Sequence, residues 1–473
     1  MNRNNIWIHI AIAVVVVTLA AVLGQIRRWE SSLSTPRTAA PRSVTVPDFS
    51  GLGNRRDEAE VLVRFKPGVT VEQIRSIAEQ NNDLMDDEYE AVKGLVSIDD
   101  LDDADVEKTV RQYAAMSDLV EYAQPNYEIR LDPSAGESET EDLLHREFSG
   151  QPNDPQFAQQ WALNNVGQDG GKERADIDAL KAWLKTRGSD KVVVAVLDTG
   201  VDYKHSDLVK NMWTRPDSVP EYVDDELGSI DDFQGFDADA NAGDPMDDNG
   251  HGTHCAGIIG AEGNNGLGIA GINWNVKIMP LKFLGRGGFG STKNAIEAIN
   301  YAIDRKKHGV NLRVINASWG STQYSRALED AIRAAGDEGI LFVAAAGNSS
   351  TDNDRRAHYP SNFNLPNVLS VAAVDRTDSL TSFSNYGAKT VHIAAPGRDI
   401  LSTWIGDAFR DASGTSMAAP QVSGVAALIV SNQPQISVAK LRERLLSSVD
   451  KIPSLDGKVA SGGRLNAAKA LGE

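Results

Sequence analysis

The chain has 473 residues, with Lys+Arg 47 against Asp+Glu 66, a formal net charge of -19, 41% hydrophobic residues and a single cysteine. That length accommodates two or three domains with cores of their own and excludes a disordered or collagen-like chain. The acidic balance excludes a surface that tracks nucleic acid, because phosphate binding needs a basic footprint, and one thiol, Cys255, excludes an intramolecular disulfide framework.

After Arg3, residues 6–24 run almost wholly apolar (IWIHIAIAVVVVTLAAVLG), and charge returns at Arg27 and Arg28. About 20 apolar residues span a bilayer, whereas the core of a secretory signal is usually about 7–15 long. Small residues near 22–24 permit cleavage, so 1–28 reads as a signal peptide or a membrane anchor. Either way the rest of the chain is expected outside the cytoplasm, secreted or at the cell envelope, tethered if the anchor is retained. Residues 29–56, rich in Pro, Ser, Thr and Arg, read as linker.

Residues 57–132 carry the pattern strand 60–66, helix 71–80, strands 84–92 and 94–99, helix 106–116, strand 120–130. That order predicts a small α+β, ferredoxin-like module. The acidic, Gly- and Pro-punctuated stretch 133–151 reads as an exposed, cleavable connector. In 152–473, short β-branched runs at 192–197, 276–283, 312–317, 340–345 and 368–374 alternate with helical patterns at 292–305, 324–337 and 415–430. Strands buried on both faces and joined by helices predict a mainly parallel α/β sheet, with functional groups outside the carboxyl ends of its strands.

The polar residues of interest fall at such ends. Asp198 follows a strand in VAVLDTG, His251 opens NGHGTHCAG, Asn348 ends AAAGN and Ser416 lies in SGTSMAAP. Singly, each has a plain reading: Asp198 a turn, His251 with His254 a zinc pair or a loop, Ser416 a helix cap. Together they suit nucleophilic acyl transfer. A serine hydroxyl needs a base, the imidazole needs a carboxylate to fix its tautomer, and the tetrahedral oxyanion needs donors, here the Asn348 amide and the Ser416 N–H.

DTG, HGTHCAG, AAAGN and GTSMAAP, in that order, resemble the motifs of the subtilisin-like serine proteases, the subtilases, with the likeness running over nearly all of 152–471. The chain order Asp, His, Ser and an asparagine donor to the oxyanion are features of that family. The resemblance implies a serine endopeptidase in which Asp198 orients, His251 is general base and acid, Ser416 attacks and Asn348 stabilises the oxyanion. It implies protein or peptide substrates held as an added strand along Leu284, Gly288, Phe289 and Gly290 on one side and Ser318, Trp319 and Gly320 on the other. Trp319 reads equally as a core aromatic. A structural Ca²⁺ is implied at Asp154, Asp207, Asn265 and the carbonyls of Leu267 and Ile269, where Asx turns are the plain alternative. Asp237, Asp239, Asn241 and Asp244 are candidates for a second ion or a solvated loop. The 57–132 module resembles the family's propeptide, an intramolecular inhibitor whose tail lies in the cleft. Cys255 resembles the thiol of one subtilase branch, in which it is not the nucleophile. His358, near the expected floor of the primary pocket, departs from the small residues expected there and leaves specificity open. The competing readings are a silent, calcium-stabilised peptide-binding module and a zinc hydrolase built on His251 and His254.

Overall fold

Two hydrophobic patterns build two sheets. The computed structural model describes residues 60–101, 105–133, 151–224 and 227–472. The expected signal or anchor at 1–28, the linker at 29–56 and all but the ends of the 133–151 connector lie outside them. Among the described residues no helix is long and apolar enough to cross a membrane.

The first sheet joins β1 (Val61–Phe65), β2 (Asp83–Glu88), β3 (Leu95–Asp100) and β4 (Val120–Pro125) in the order β2-β3-β1-β4, every pair antiparallel. Helices α1 (Val71–Gln80) and α2 (Val106–Ala114) cover one face. A capping box starts α1: Gln73 N–H donates to Thr70 Oγ1 at 3.3 Å and Thr70 N–H to Gln73 Oε1 at 2.9 Å, which contributes about 1 kcal/mol. Val61, Val63 and Phe65 pack against Ile74, Ala78 and Tyr113. Leu62, Tyr89, Val92 and Leu95 belong instead to a core of the second domain, each burial worth at most about 1.5–3 kcal/mol.

The second sheet holds β6 (Gly188–Asp198), β7 (Phe236–Asp237), β8 (Asn275–Lys282), β10 (Leu312–Ala317), β11 (Leu341–Ala345), β12 (Val368–Val374), β13 (Ile393–Pro396), β14 (Asp450–Lys451) and β15 (Gly463–Arg464), in the order β14-β15-β13-β12-β11-β10-β6-β8-β7. All neighbours run parallel except the edge pair β14–β15. Side chains of β6 alternate between two cores, as the two-residue period of a strand requires. Val192, Val194 and Val196 join Cys255 and Ala256 of α3 (His251–Gly260) and Val422 and Ala426 of α6 (Thr415–Asn432). Val193, Ala195 and Leu197 join Ala295 and Ile299 of α4 (Thr292–Lys307) and Leu328 and Ile332 of α5 (Arg326–Asp337). After β6 the chain adds β8 on one side and β10 on the other, so the strand order reverses at the carboxyl end of β6, where Asp198 stands.

The strand expected at 120–130 is two. Pro125 has no N–H to extend the ladder, and the residues on either side of it serve other helices. Gln124 Oε1 accepts the N–H groups of Arg326 and Ala327 in the first turn of α5, at 2.9 and 3.2 Å, and Asn126 Oδ1 accepts Lys293 N–H at 2.9 Å in the first turn of α4. The first module thus caps two helices of the second. The chain then forms β5 (Glu128–Arg130), which pairs antiparallel with β9 (Phe289–Ser291).

The interface also buries a carboxylate trio, Asp87, Asp224 and Glu297, with one oxygen of each within 4.8 Å of the others. Burial, then mutual repulsion, push Asp87 and Glu297 well above the ordinary carboxylate range, with Lys293 offsetting part of this. The docked state therefore holds protons that the separated state releases. Its contribution is full below about pH 4 and is lost as the pH climbs toward the raised values. Hydrogen exchange across residues 83–100, corrected for intrinsic rate, is expected to show protection falling between about pH 5 and 8.5, with Glu297→Gln flattening the trend. Protection that rises with pH would contradict this.

Candidate active site

Asp198, the last residue of β6, and His251, the first of α3, meet: Nδ1 and Oδ1 are 2.7 Å apart. Asp198 is fully buried and also accepts Thr199 N–H at 2.8 Å. Burial disfavours the imidazolium, but Asp198, by charge and by hydrogen bond, with Asp247 and Asp132 beyond it, outweighs this and holds the His251 pKa above its ordinary value. A carboxylate on Nδ1 leaves Nε2 as the basic atom.

A network that the sequence reading did not single out fixes this junction. Asp247 Oδ1 accepts Thr199 Oγ1–H and the N–H groups of Asn249 and Gly250, each at 2.9 Å. Its Oδ2 accepts Thr253 N–H at 3.0 Å and Thr253 Oγ1–H at 2.6 Å, and Thr199 Oγ1 accepts Gly252 N–H at 3.0 Å. One buried carboxylate thus ties the end of β6 to the first turn of α3. The available signal was an Asp four residues before the helix, with Thr253 beyond it.

Ser416 is the second residue of α6, whose N-cap is Gly414, so its hydroxyl does not cap the helix. Its Oγ–H donates to the Ser318 carbonyl at 3.0 Å, and Ser318 Oγ–H donates back to the Ser416 carbonyl at 2.8 Å. Cys255, one turn along α3 from His251, reaches the same Ser416 carbonyl with Sγ at 3.5 Å, and burial holds its thiol pKa well above the ordinary value. His254 points elsewhere: Nε2 donates to the Arg410 carbonyl at 3.0 Å and the ring meets Trp404 edge-on. Burial lowers its pKa to about 3. The zinc pair is not assembled, because the two rings leave the helix in different directions.

Asn348, just beyond β11, is locked by its oxygen. Oδ1 accepts Thr415 N–H at 2.8 Å and Thr415 Oγ1–H at 2.9 Å, so Nδ2 faces outward and donates to the Pro133 carbonyl at 3.3 Å. Pro133 follows an extended segment threaded between two backbones. Ile129 pairs with Gly290, Arg130 with Phe289 and, on the other side, with Gly320, and Leu131 N–H donates to the Gly288 carbonyl at 2.9 Å. Gly288 has φ +73°, and a Cβ there would lie 2.9 Å from Leu131 Cδ1, so glycine serves both the turn and the close approach. Leu284 is buried at the channel wall, and the Arg130 guanidinium lies over the Phe289 ring at 4.9 Å. The Trp319 indole is fully buried, donates to the Leu197 carbonyl at 2.8 Å and packs on Phe283. It is a core aromatic; the next residue, Gly320, borders the channel through its bridge to Arg130.

The subtilase family model matches residues 189–467, more than half of the chain. The chain belongs to the subtilase family. Subtilases are serine proteases, hydrolases that act on protein substrates, and curated relatives carry such names. The thermophilic serine proteinase of Bacillus sp. (strain AK1) is 33% identical over 459 residues, 97% of this chain and 98% of that one. Subtilisin-like protease 2 of Plasmodium falciparum is 39% identical over 260 residues, 54% of this chain and 18% of that protein. Among solved structures, a protease from Pseudoalteromonas arctica shares 30% identity at a TM-score of 0.55, covering 68% of this chain and 98% of its own. Fervidolysin from Fervidobacterium pennivorans aligns over 88% of this subtilase and 61% of itself at TM-score 0.69 and 24% identity, a likeness in fold.

Of the residues expected at an ion, Asp154, Asp207 and Asn265 are linked by hydrogen bonds in this subtilase. Asp154 accepts Asn264 N–H at 2.7 Å and Asn265 N–H at 3.1 Å. Asp207 accepts Asn265 Nδ2–H at 2.7 Å and Ile269 N–H at 3.0 Å, and Asn265 Oδ1 accepts Leu267 N–H at 2.8 Å. Burial pushes both carboxylates up, Asp207 to about 6, against the pull of its hydrogen bonds and with Asp154 adding repulsion. Two buried carboxylates, with Asp154 raising Asp207, beside the Asn265 side chain suit a hard cation. The acidic stretch proposed for a second ion is divided among separate turns: Asp237 Oδ1 accepts the N–H groups of Asp239 and Ala240, Asn241 has φ +52°, and Asp244 accepts the Tyr203 hydroxyl.

Proposed function

We propose that this subtilase is an exported endopeptidase, made as a self-inhibited precursor, that cleaves by an Asp198–His251–Ser416 triad. Asp198 holds the imidazole in the tautomer that leaves Nε2 free to take the Ser416 proton. The Ser416 oxygen attacks the peptide carbonyl, and Asn348 Nδ2 with the Ser416 N–H holds the oxyanion. His251 then returns its proton to the leaving amine, and water hydrolyses the acyl-enzyme by the same route reversed. The observation that carries the reading is the Asn348 amide, locked by Thr415, donating to a backbone carbonyl of an extended segment in the channel. Labelling the purified mature protein with a fluorophosphonate and mapping the label tests it. Modification of Ser416 is expected; a folded protein labelled elsewhere or not at all would refute the assignment.

In this reading 57–132 is the propeptide, 128–133 the product-like tail that occupies the channel, 133–151 the connector cut on maturation, 152–473 the peptidase, and 1–28 the signal or anchor. Subtilases often use calcium structurally, and here Asp154, Asp207, Asn265 and the carbonyls of Leu267 and Ile269 would hold it, joining the start of the domain to two loops. An ion that binds only the folded state stabilises it by about 4 kcal/mol at a thousandfold excess over Kd. Chelation is expected to lower Tm and speed autolysis, with calcium restoring both and zinc neither. Asp207→Ala should blunt the calcium response while leaving initial rates at low temperature near wild type. Immediate loss of activity in a protein that stays folded would assign the metal to catalysis instead.

A further inference from the structure

The residue after the threaded strand reports what the pocket beside Ser416 accepts. Asp132 turns its carboxylate onto His358: Nε2 lies 3.3 Å from Oδ1 and 3.2 Å from Oδ2. Both side chains are buried, His358 7% and Asp132 12% exposed. The imidazole stands between two backbone walls of the site. A Cβ on Gly320 would lie 2.0 Å from His358 Cε1, and one on Gly347, the neighbour of Asn348, would lie 3.0 Å from Cδ2. Any side chain at Gly320 would therefore displace the ring.

The backbone that carries the ring is held from both sides. His358 N–H donates to Asn362 Oδ1 at 3.1 Å, its carbonyl accepts Ser361 Oγ–H at 2.7 Å, and the next residue, Tyr359, exchanges two backbone hydrogen bonds with Ser321 at 2.7 and 2.8 Å. Nδ1 is buried without a partner among the described residues. The ring is thus fixed with Nε2 as the polar atom aimed into the pocket.

We propose that His358 is a specificity-determining residue that selects substrates placing a carboxylate side chain, aspartate above all, in this pocket. The inference rests on the protease reading above and names the substrate class of the same site. An N–H aimed at an ionised oxygen makes a hydrogen bond roughly twice as strong as a neutral one. An apolar side chain leaves that donor buried and unpaired, lysine supplies no acceptor, and the ring takes up the depth that a large aromatic would need.

Peptides Ile-Arg-Leu-Xaa-Ala-Ser, with Xaa Asp, Glu, Asn, Leu, Phe or Lys, test this on the mature enzyme, with bonds cut identified by mass spectrometry. Asp is expected to exceed Asn by about 10-fold in kcat/KM, and Phe and Lys by about 10²-fold or more. His358→Gln should reduce the Asp-over-Asn ratio to within about 2-fold and move the Asp-over-Leu ratio in the same direction, whereas general loosening of the site would lower kcat/KM for all the peptides alike. Wild-type enzyme that labels at Ser416 yet prefers Leu, Phe or Lys overturns the role of His358 alone. An unchanged Asp preference in a folded His358→Gln variant overturns it too. Failure both to label and to cut any peptide overturns the protease reading and this inference with it.

Discussion

Ser416→Ala is expected to abolish peptidase activity and processing of the chain's own connector, with kcat falling on the order of 10⁶-fold, the size seen when the serine of subtilisin itself is removed. The serine lies at the start of a buried helix and its hydroxyl makes one hydrogen bond, to Ser318, so alanine should fold normally. Cys255 is the other nucleophile near His251, and it cannot take over: its thiol is buried, held in the neutral form and turned to the Ser416 carbonyl. Catalysis about 10³–10⁴ above the water reaction remains available from the oxyanion donors and binding, so the assay needs active-site titration and long incubation. Migration of the chain on denaturing gels reads processing separately. Near-wild-type cleavage by the variant would place the nucleophile elsewhere.

Asn348→Ala is expected to lower kcat by about 10²–10³ with KM little changed, because in the proposed mechanism the amide acts on charge that develops only in the transition state. The loss has a structural side as well. Removing Oδ1 frees the Thr415 N–H and hydroxyl at the start of α6, which costs about 1 kcal/mol of stability. The rate is therefore best measured well below Tm. Thr415→Val, which keeps Asn348 but deletes one of the bonds orienting it, should give a smaller fall in kcat of the same kind. A raised KM at unchanged kcat for Asn348→Ala would assign the amide to binding of the ground state.

Much of this was legible in the sequence, for local reasons. The helix at 71–80 and the strands at 312–317 and 368–374 have the bounds their patterns predict, because periodicity of 3.6 or 2 reports which face of a short element is buried. Asp198, His251, Asn348 and Ser416 stand out because each sits where a strand ends or a helix begins, with a glycine within two residues. What depends on distant partners was not legible. The strand at 120–130 breaks because Gln124 and Asn126 cap helices that begin well over a hundred residues later. Trp319 turns inward because a carbonyl 122 residues earlier in the chain is available to its indole. The acidic trio at the module interface draws Asp87, Asp224 and Glu297 from both domains, and no single stretch of sequence shows that burial. The clearest case is His358. The residue order alone reveals an imidazole in place of a small residue near the pocket, but its partner is Asp132, 226 residues away. Only the chain folded back through its own channel brings the two together. Hydrophobic period is a property of neighbouring residues, whereas the pairing of buried polar groups is settled by which donors and acceptors meet once water is excluded.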